Sequence, residues 1–232
     1  MTQDQTCPWG VVCCPNMLIP INTFAARQES PQVPHDNSAQ VDVSANRSAS
    51  KWTPREKLGR VLWGGAAIVF RLVPRPLWGI RRAMLRAFGA KIGANVHIHP
   101  TVRIFIPWNI TIHDQAAIGD RAILYALGPI TIGARSTVSQ GAHLCAGSHD
   151  WRDPRMPLLK HPIVIGEDAW VAADAFVGPN VVIGPRAIVG ARSVVMKPVD
   201  ADQIVAGNPA HVIGHRPASD IGIDKAAENH EV

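Results

Sequence analysis

The chain has 232 residues, enough for one main domain with extensions and for a substantial core. Hydrophobic residues make up 47% and charged residues 18%, which excludes a mainly disordered protein. Four cysteines are too few for a disulfide scaffold at this length, so a reducing compartment is the simplest expectation. The net charge of +5 favours anionic partners only where the positive residues cluster.

Residues 1–50 are predicted to be a loose N-terminal extension. They are rich in Ser, Asn, Gln, Pro and Ala, carry few charges and have no sustained periodicity. No signal peptide is predicted, because the opening lacks a basic start followed by a long apolar run. Met1 and Met17 both remain candidates for the start of translation.

Residues 51–91 form a basic cluster, in which ten lysines and arginines face a single acid, Glu56. The longest uncharged run, residues 61–70, is far shorter than the roughly 20 residues that span a bilayer. Pro74 and Pro76 predict a break between two amphipathic helices. Because apolar residues alternate with arginines, two interpretations stay open: a helical flap on the main domain, or peripheral contact with a membrane surface.

The body of the chain is a six-residue repeat. Its aliphatic positions are Ile92, Ile98, Ile104, Ile112, Ile118, Leu124, Ile132, Val138, Leu144, Ile165, Val171, Val177, Ile183, Val189 and Val195. No α-helix has this period, whereas three short strands with turns close a triangular coil whose aliphatic side chains point inward. The pattern therefore predicts a parallel β-helix over residues 92–213, followed by a C-terminal tail over 214–232.

The repeat loses its phase once, between Leu144 and Ile165, where 21 residues replace the expected six. A loop over residues 150–162 must therefore leave the coil, directly after Gly147-Ser148-His149. Long irregular excursions from a rigid scaffold commonly carry function. This excursion loop is the first place to look for a site.

Five short motifs accompany the repeat. They are Pro107-Trp108-Asn109, Ser139-Gln140-Gly141, Leu144-Cys145-Ala146-Gly147-Ser148-His149-Asp150, Ala169-Trp170-Val171-Ala172 and Ala206-Gly207-Asn208-Pro209-Ala210. In this combination the chain resembles the left-handed β-helix acyltransferases, and among them the colanic acid biosynthesis acetyltransferase family, over residues 55–213. The resemblance implies an all-β fold, a left-handed parallel β-helix of hexapeptide repeats, preceded by the short basic helical segment. The left hand comes from the resemblance alone, because the general preference of parallel crossovers is right-handed.

The resemblance also implies a function. The family's activity would make this chain an acetyl-CoA-dependent O-acetyltransferase that modifies a sugar hydroxyl in exopolysaccharide biosynthesis. Its acceptor would be a sugar or a lipid-linked oligosaccharide, and its assembly a homotrimer with active sites between subunits. The expected location is the cytoplasm, with residues 51–91 in peripheral contact with the inner face of the cytoplasmic membrane. The identity of the sugar, its hydroxyl and the acyl chain preference stay open.

His149 matches the catalytic histidine of the family. A neutral imidazole can take the proton of an attacking hydroxyl, while its other ring nitrogen is held by Asp150 or by a backbone carbonyl. His149→Ala is therefore expected to abolish transfer and to leave the fold intact. Residues that could bind the acceptor are Trp108, Asn109, Tyr125, Trp151, Asp153 and Arg155, since sugars stack on aromatic rings and bind polar groups.

The resemblance assigns the coenzyme A groove to the last coils. The pantetheine arm would pass Trp170, Ala172, Ala173, Gly190 and Ala191, and the nucleotide end would meet Lys197 and His211. Three residues in this region differ from those usual in the family. Ala173 replaces a Ser, Met196 replaces a Thr, and His211 replaces a Lys or Arg. A backbone N–H would then stabilise the oxyanion at position 173, and Arg192 or Arg216 would supply phosphate-binding charge.

Other classes of function were weighed against transfer. His113 and His149 are 36 residues apart, as expected for ligands on neighbouring coils of a γ-type carbonic anhydrase-like zinc enzyme. The third ligand position of that class is Pro154 here, so no metal is predicted. A non-catalytic β-helix scaffold is the remaining alternative. Nucleic acid is not an expected partner, because the positive residues lie among Trp, Leu and Val.

Overall fold

The computed structural model describes residues 40–217. The first 39 residues, with three of the four cysteines and both candidate start positions, lie outside the described residues, as does the end of the expected tail, 218–232. Within the described range the helices are α1 (Val43–Ser48), α2 (Pro54–Leu72) and α3 (Trp78–Ala87). The strands are β1 (Lys91–Ile92), β2 (His97–Ile98), β3 (Arg103–Ile104), β4 (Ile110–Ile112), β5 (Ala117–Ile118), β6 (Ile123–Tyr125), β7 (Ile130–Ile132), β8 (Thr137–Val138), β9 (His143–Cys145), β10 (Ser148–His149), β11 (Leu158–Leu159), β12 (Ile163–Ile165), β13 (Trp170–Val171), β14 (Phe176–Val177), β15 (Val182–Ile183), β16 (Ile188–Val189), β17 (Val194–Val195), β18 (Gln203–Gly207) and β19 (Ala210–His215).

The strands form the three faces of a left-handed parallel β-helix. Sheet 1 contains β1, β4, β7, β12 and β15, and sheet 3 contains β3, β6, β9, β14 and β17. Sheet 2 contains β2, β5, β8, β13, β16 and β18, and β19 closes it with an antiparallel pair to β18. The chain runs from sheet 1 to sheet 2 to sheet 3 and back, so the coil has three edges, here called edge 1–2, edge 2–3 and edge 3–1.

The register explains how the excursion loop is tolerated. In sheet 1, Ile92 pairs with Ile112, Ile112 with Ile132, Ile132 with Ile165 and Ile165 with Ile183. The third of these steps is 33 residues long, yet its pairing stays parallel and keeps the aliphatic side chains inside. The extra residues are therefore accommodated entirely at edge 3–1, outside the coil.

The core is a column of stacked aliphatic side chains. Ile118, Leu124, Ile132, Leu144 and Val171 are fully buried, like most of the other periodic positions. A strand of two or three residues buries only one or two such side chains, so a single coil is not stable alone and each coil depends on its neighbours. The repeat predicted from the sequence is thus confirmed as the unit of the fold.

Helices α2 and α3 cover the first coils. Thr53 and Glu56 form a reciprocal capping box at the start of α2, which ends just before Pro74. The inward side of α2 buries Trp63 and Phe70, and the Trp63 indole N–H donates to the carbonyl oxygen of Ile104 at 2.7 Å. The helical segment therefore packs on the β-helix through one face. No helix within residues 40–217 is long and apolar enough to cross a membrane.

One arginine of the basic cluster is buried, although the sequence gives no sign of this. Arg81 of α3 has no solvent exposure, and burial lowers the pKa of its guanidinium. It donates to the carbonyl oxygens of Val73 (2.8 Å), Pro74 (3.0 Å), Arg75 (3.0 Å) and Ile98 (2.8 Å). A single side chain thus joins the end of α2, the link between the helices and the second strand of the β-helix.

Helix α1 lies in the segment that the sequence predicted to be loose. Asp42 caps it by accepting from the backbone N–H of Ala45 at 2.9 Å. The backbone N–H of Asp42 also donates to the carbonyl oxygen of Pro154 at 2.8 Å. The expectation for residues 43–48 was wrong, because the contacts of this helix come from the excursion loop more than 100 residues later in the chain.

Candidate active site

The excursion loop is a β-hairpin mounted on edge 3–1. Its strands β10 and β11 are antiparallel, and His149 is paired with Leu158. Gly147 lies where the hairpin leaves the coil, and a Cβ at that position would come within 2.7 Å of the Leu127 side chain of the previous coil. The start of the excursion is therefore packed closely against the β-helix, which fixes the position of the backbone just before His149.

His149 is exposed, and one of its ring nitrogens is held by the backbone. Its Nδ1 lies 2.6 Å from the carbonyl oxygen of Met156 on the opposite arm of the hairpin. Because a carbonyl only accepts, Nδ1 carries a proton, so in the neutral ring the lone pair is on Nε2. Of the two partners considered for the ring, the carbonyl holds it, while Asp150 accepts from the backbone N–H of Arg152 at 3.0 Å.

The loop residues that could bind an acceptor have different surroundings. Trp151 is 74% exposed, and only the guanidinium of Arg152, 4.7 Å from its ring centroid, covers it. Asp153 accepts from the Arg155 side chain at 2.8 and 3.1 Å, and this pairing holds the pKa of the Asp153 carboxyl below its usual range. Trp151 is thus open to a ligand, whereas Asp153 is engaged within the loop.

Two further acceptor candidates lie near edge 3–1 on earlier coils. The Asn109 amide donates to the carbonyl oxygens of Ala126 and Leu127 at 2.9 and 3.0 Å, so its nitrogen joins two coils. Tyr125, at the end of β6, is half-buried with its ring 4.8 Å from that of Phe105. The structure therefore brings both residues to the edge that carries His149.

Trp108 belongs to the packing of the helical segment. A Cβ on Gly59 of α2 would lie 3.0 Å from the Trp108 ring, and one on Gly89 would lie 3.0 Å from its Cβ. These glycines leave room for the indole between α2 and the first coils. Trp108 is consequently a structural contact within the protomer and not an open stacking surface.

Four of the residues expected to line coenzyme A lie on another edge. Ala172 and Ala173 follow β13, and Gly190 and Ala191 follow β16, so all four stack at edge 2–3 on consecutive coils. The Ala173 carbonyl accepts from the backbone N–H of Arg192 at 2.9 Å. Within the chain, His149 and these four residues are therefore on different edges of the β-helix.

Trp170 lies beside them on the outer face of sheet 2. Its ring is 46% exposed, and its indole N–H donates to the Ser139 hydroxyl on the previous coil at 2.8 Å. This hydrogen bond fixes the ring against the turn of the Ser139-Gln140-Gly141 motif. Trp170 thus presents a rigid apolar wall next to edge 2–3.

Four basic residues are candidates for binding the phosphates of coenzyme A. Lys197, at edge 3–1, and His211, in β19, are both exposed. The Arg192 side chain is 86% exposed, with the nearest carboxylate oxygen, on Asp174, 3.9 Å away. Arg216 donates to the carbonyl oxygen of Asp168 at 2.9 Å. Arg192 is therefore available to a ligand, whereas Arg216 is used to anchor the chain after β19.

Two polar residues of sheet 3 have structural surroundings. His143 is half-buried, with its ring 5.2 Å from Phe176, and burial lowers its pKa. Its Nε2 is buried and has no hydrogen-bond partner within residues 40–217. The Cys145 thiol is half-buried and donates to the carbonyl oxygen of Gly147 at 3.4 Å. No group of three or more His, Cys, Asp or Glu side chains able to hold a metal occurs in that described range.

Sequence reasoning missed two contributors to the site, Asn46 and Met156. Met156 supplies the carbonyl that holds His149, and its φ of 44° turns the hairpin back toward β10. Asn46 of α1 donates to the same carbonyl. The residue types carry no signal for this role, because Met acts through its backbone and Asn46 acts from a segment without periodicity.

Comparison with known proteins shows the class to which this triangular coil belongs. Residues 162–197 match the family model described as bacterial transferase hexapeptide (six repeats). The chain is 49% identical over 154 residues to WcaF of Escherichia coli (strain K12), which carries the name of a colanic acid biosynthesis acetyltransferase; the match covers 66% of this chain and 85% of that protein.

Two solved structures share the fold. A hexapeptide-repeat acetyltransferase of Vibrio cholerae O1 biovar eltor, complexed with acetyl coenzyme A, matches with a TM-score of 0.68 and 23% identity over 73% of this chain and 93% of that chain. A maltose O-acetyltransferase of Clostridium difficile 630 matches with a TM-score of 0.66 and 19% identity over 72% and 90%.

The chain belongs to the hexapeptide-repeat acetyltransferase family of which WcaF is a member. The fold, the family and the enzyme class predicted from the sequence are thereby confirmed.

Proposed function

We propose that this protein transfers an acetyl group from acetyl-CoA to a sugar hydroxyl in exopolysaccharide biosynthesis, with His149 as general base. The observation that carries the proposal is the contact between His149 Nδ1 and the Met156 carbonyl, which places the lone pair of the neutral ring on Nε2. An exposed neutral imidazole in this state can take a proton from a bound alcohol.

The reaction follows from that state of the ring. The acceptor hydroxyl oxygen attacks the thioester carbonyl carbon as Nε2 of His149 takes the hydroxyl proton. The tetrahedral intermediate then collapses, the carbon–sulfur bond breaks, and the imidazolium returns its proton to the departing coenzyme A sulfur. The products are an acetyl ester and free coenzyme A, and the step needs neither a metal nor a covalent enzyme intermediate.

The oxyanion of this intermediate needs a donor. Ala173 has no side-chain donor, but its backbone N–H makes no backbone hydrogen bond within the described residues. A fixed N–H at edge 2–3 is suited to a developing negative charge. We assign the thioester to this edge, with Trp170 as its apolar wall.

A homotrimer accounts for the separation between base and donor groove. Edge 3–1 of one protomer carries His149 and edge 2–3 carries the groove residues, so a cyclic arrangement can bring the base of one protomer to the groove of the next.

The test is release of free coenzyme A from acetyl-CoA in the presence of nucleotide sugars and lipid-linked oligosaccharides. One acceptor that drives turnover, with an acetyl ester on the product by mass spectrometry, is the expected result. No thiol release with any acceptor, together with no affinity for coenzyme A by calorimetry, would favour a non-catalytic scaffold. Bicarbonate formation from carbon dioxide that depends on bound zinc would favour the carbonic anhydrase alternative.

Two arginines allow a prediction about the donor phosphates. Arg192→Ala is expected to raise KM for acetyl-CoA roughly 5- to 10-fold with little change in kcat, because one charge-assisted contact to phosphate is lost. Arg216→Ala is expected to lower stability instead, since Arg216 holds the Asp168 carbonyl. Steady-state kinetics and urea unfolding of both variants check this. A rise in KM with Arg216→Ala alone would reverse the assignment.

We assign peripheral membrane contact to the outward face of α2. The residues on this face are each more than half exposed and follow helical spacing: Leu58, Val61, Leu62, Ile68, Val69 and Leu72. Beside them runs a groove of about 620 Å³ whose charged lining consists of Lys57, Arg60 and Arg71. An apolar stripe beside cations, with no acid in the groove lining, suits an anionic lipid surface.

Vesicle sedimentation tests this assignment. The protein is expected to bind vesicles containing phosphatidylglycerol more tightly than vesicles of phosphatidylcholine alone. Replacing Leu62, Ile68 and Leu72 by Gln should weaken binding at least about tenfold, because three inserting side chains are lost. Val182→Gln, an exposed aliphatic position on sheet 1, is the matched control. A change of oligomeric state in the triple variant, without an effect on vesicles, would show that the face covers protein.

A further inference from the structure

We infer that Asn46 is a positioning residue for the base: through the Met156 carbonyl, it fixes the ring of His149. The inference rests on the proposed role of His149. The Asn46 side-chain amide donates to the Met156 carbonyl oxygen at 2.5 Å and to the Arg155 carbonyl oxygen at 2.9 Å. The Met156 oxygen is also the partner of His149 Nδ1. The Met156 carbonyl thus accepts hydrogen bonds from both His149 Nδ1 and the Asn46 amide.

The orientation of the amide is determined by its other contact. The ammonium of Lys51 donates to Asn46 Oδ1 at 2.7 Å. Because an ammonium only donates and carbonyl oxygens only accept, the amide has a single orientation in which every contact is satisfied. The Asn46 nitrogen must therefore face Arg155 and Met156.

Further contacts hold the N-terminal segment on the excursion loop. The Asp42 N–H donates to the Pro154 carbonyl, and the Lys160 ammonium donates to the Lys51 carbonyl at 3.1 Å. The same ammonium lies 3.8 Å from the Trp52 ring centroid. Residues 42–52 are thus attached to the connecting turn and to the second arm of the hairpin that carries the base.

This attachment has a direct consequence for the chemistry. Met156 lies in a turn at positive φ, held by backbone hydrogen bonds from its own N–H to the Asp153 carbonyl at 2.7 Å and from the Asp150 N–H to the Pro157 carbonyl at 3.1 Å. Neither of these bonds involves the Met156 carbonyl. Without the Asn46 amide, nothing else among the described contacts of the Met156 carbonyl keeps it aimed at Nδ1 except the imidazole itself. The ring then loses its fixed tautomer and direction, and a misplacement of about 1 Å can cost roughly 100-fold in rate.

The test compares Asn46→Ala and Asn46→Asp in the full-length protein. The aspartate keeps the size of the side chain and its acceptor for Lys51 but cannot donate to the two carbonyls. Both variants are expected to lower kcat about 10- to 100-fold, with KM for acetyl-CoA within about twofold of wild type. The ¹⁵N spectrum of His149 should show the Nδ1-protonated tautomer in wild type and a mixture in both variants.

Ser48→Ala is the matched control, because its hydroxyl donates only to the Ala45 carbonyl of the same helix. Wild-type kcat in both Asn46 variants, beside an inactive His149→Ala, would overturn the positioning role and leave the proposed function standing. An equal loss in Ser48→Ala, with an unchanged His149 tautomer, would reduce the effect to helix stability and also overturn it. Full activity of His149→Ala would reject His149 as the base and would overturn the positioning role that rests on it.

Discussion

His149→Ala is expected to lower kcat for acetyl transfer by roughly 10²- to 10⁴-fold, the range that a positioned general base contributes. The variant keeps the backbone of the hairpin but has no group that can take the hydroxyl proton. Affinity for coenzyme A should change little, because the proposed role of the ring is to take a proton from the acceptor and not to bind the donor. Thiol release and calorimetry on the same preparation measure the two effects separately.

His161→Ala is the control for this prediction, since it removes another imidazole where the excursion loop returns to the coil. It should retain wild-type activity. Urea unfolding of His149→Ala should match wild type, because His149 is an exposed residue. Wild-type turnover in His149→Ala would reject His149 as the base, and equal losses in both variants would point to loop disruption.

Arg81→Met is expected to produce the largest loss of stability among single changes in the helical segment, about 3 kcal/mol or more. The thioether fills much of the same space but leaves the carbonyls of Val73 and Ile98 buried without a donor. Each such orphaned carbonyl costs about 1–3 kcal/mol. The free energy of unfolding in urea, measured at one protein concentration, provides the comparison.

Arg82→Met separates burial from charge. Arg82 is the next residue on α3, carries the same charge and makes one hydrogen bond, to the Val96 carbonyl at 3.0 Å. It is expected to cost less than about 1 kcal/mol. Similar losses in the two variants would mean that the net charge of α3, and not the buried network of Arg81, stabilises the helical segment.

The repeat could be predicted from the sequence because its information is local and periodic. An aliphatic residue at every sixth position is needed wherever a short strand faces the inside of a triangular coil. The pattern therefore predicts each coil from its own residues. The break after Leu144 likewise located the excursion, and the motif around His149 identified the residue at its start. These features depend on a few neighbouring residues each.

The sequence by itself determined the β-helix, the position of its excursion and the family to which the chain belongs. Only the tertiary structure decided which partners complete the site. Asn46 and Met156 are 110 positions apart, and no periodicity links them. The sequence does not distinguish Arg81 from the other basic residues of its segment, although it is buried in the folded chain. In each case a single polar side chain donates to backbone carbonyls that lie elsewhere in the sequence. Because every residue has the same backbone carbonyl, the sequence does not show which of them will accept.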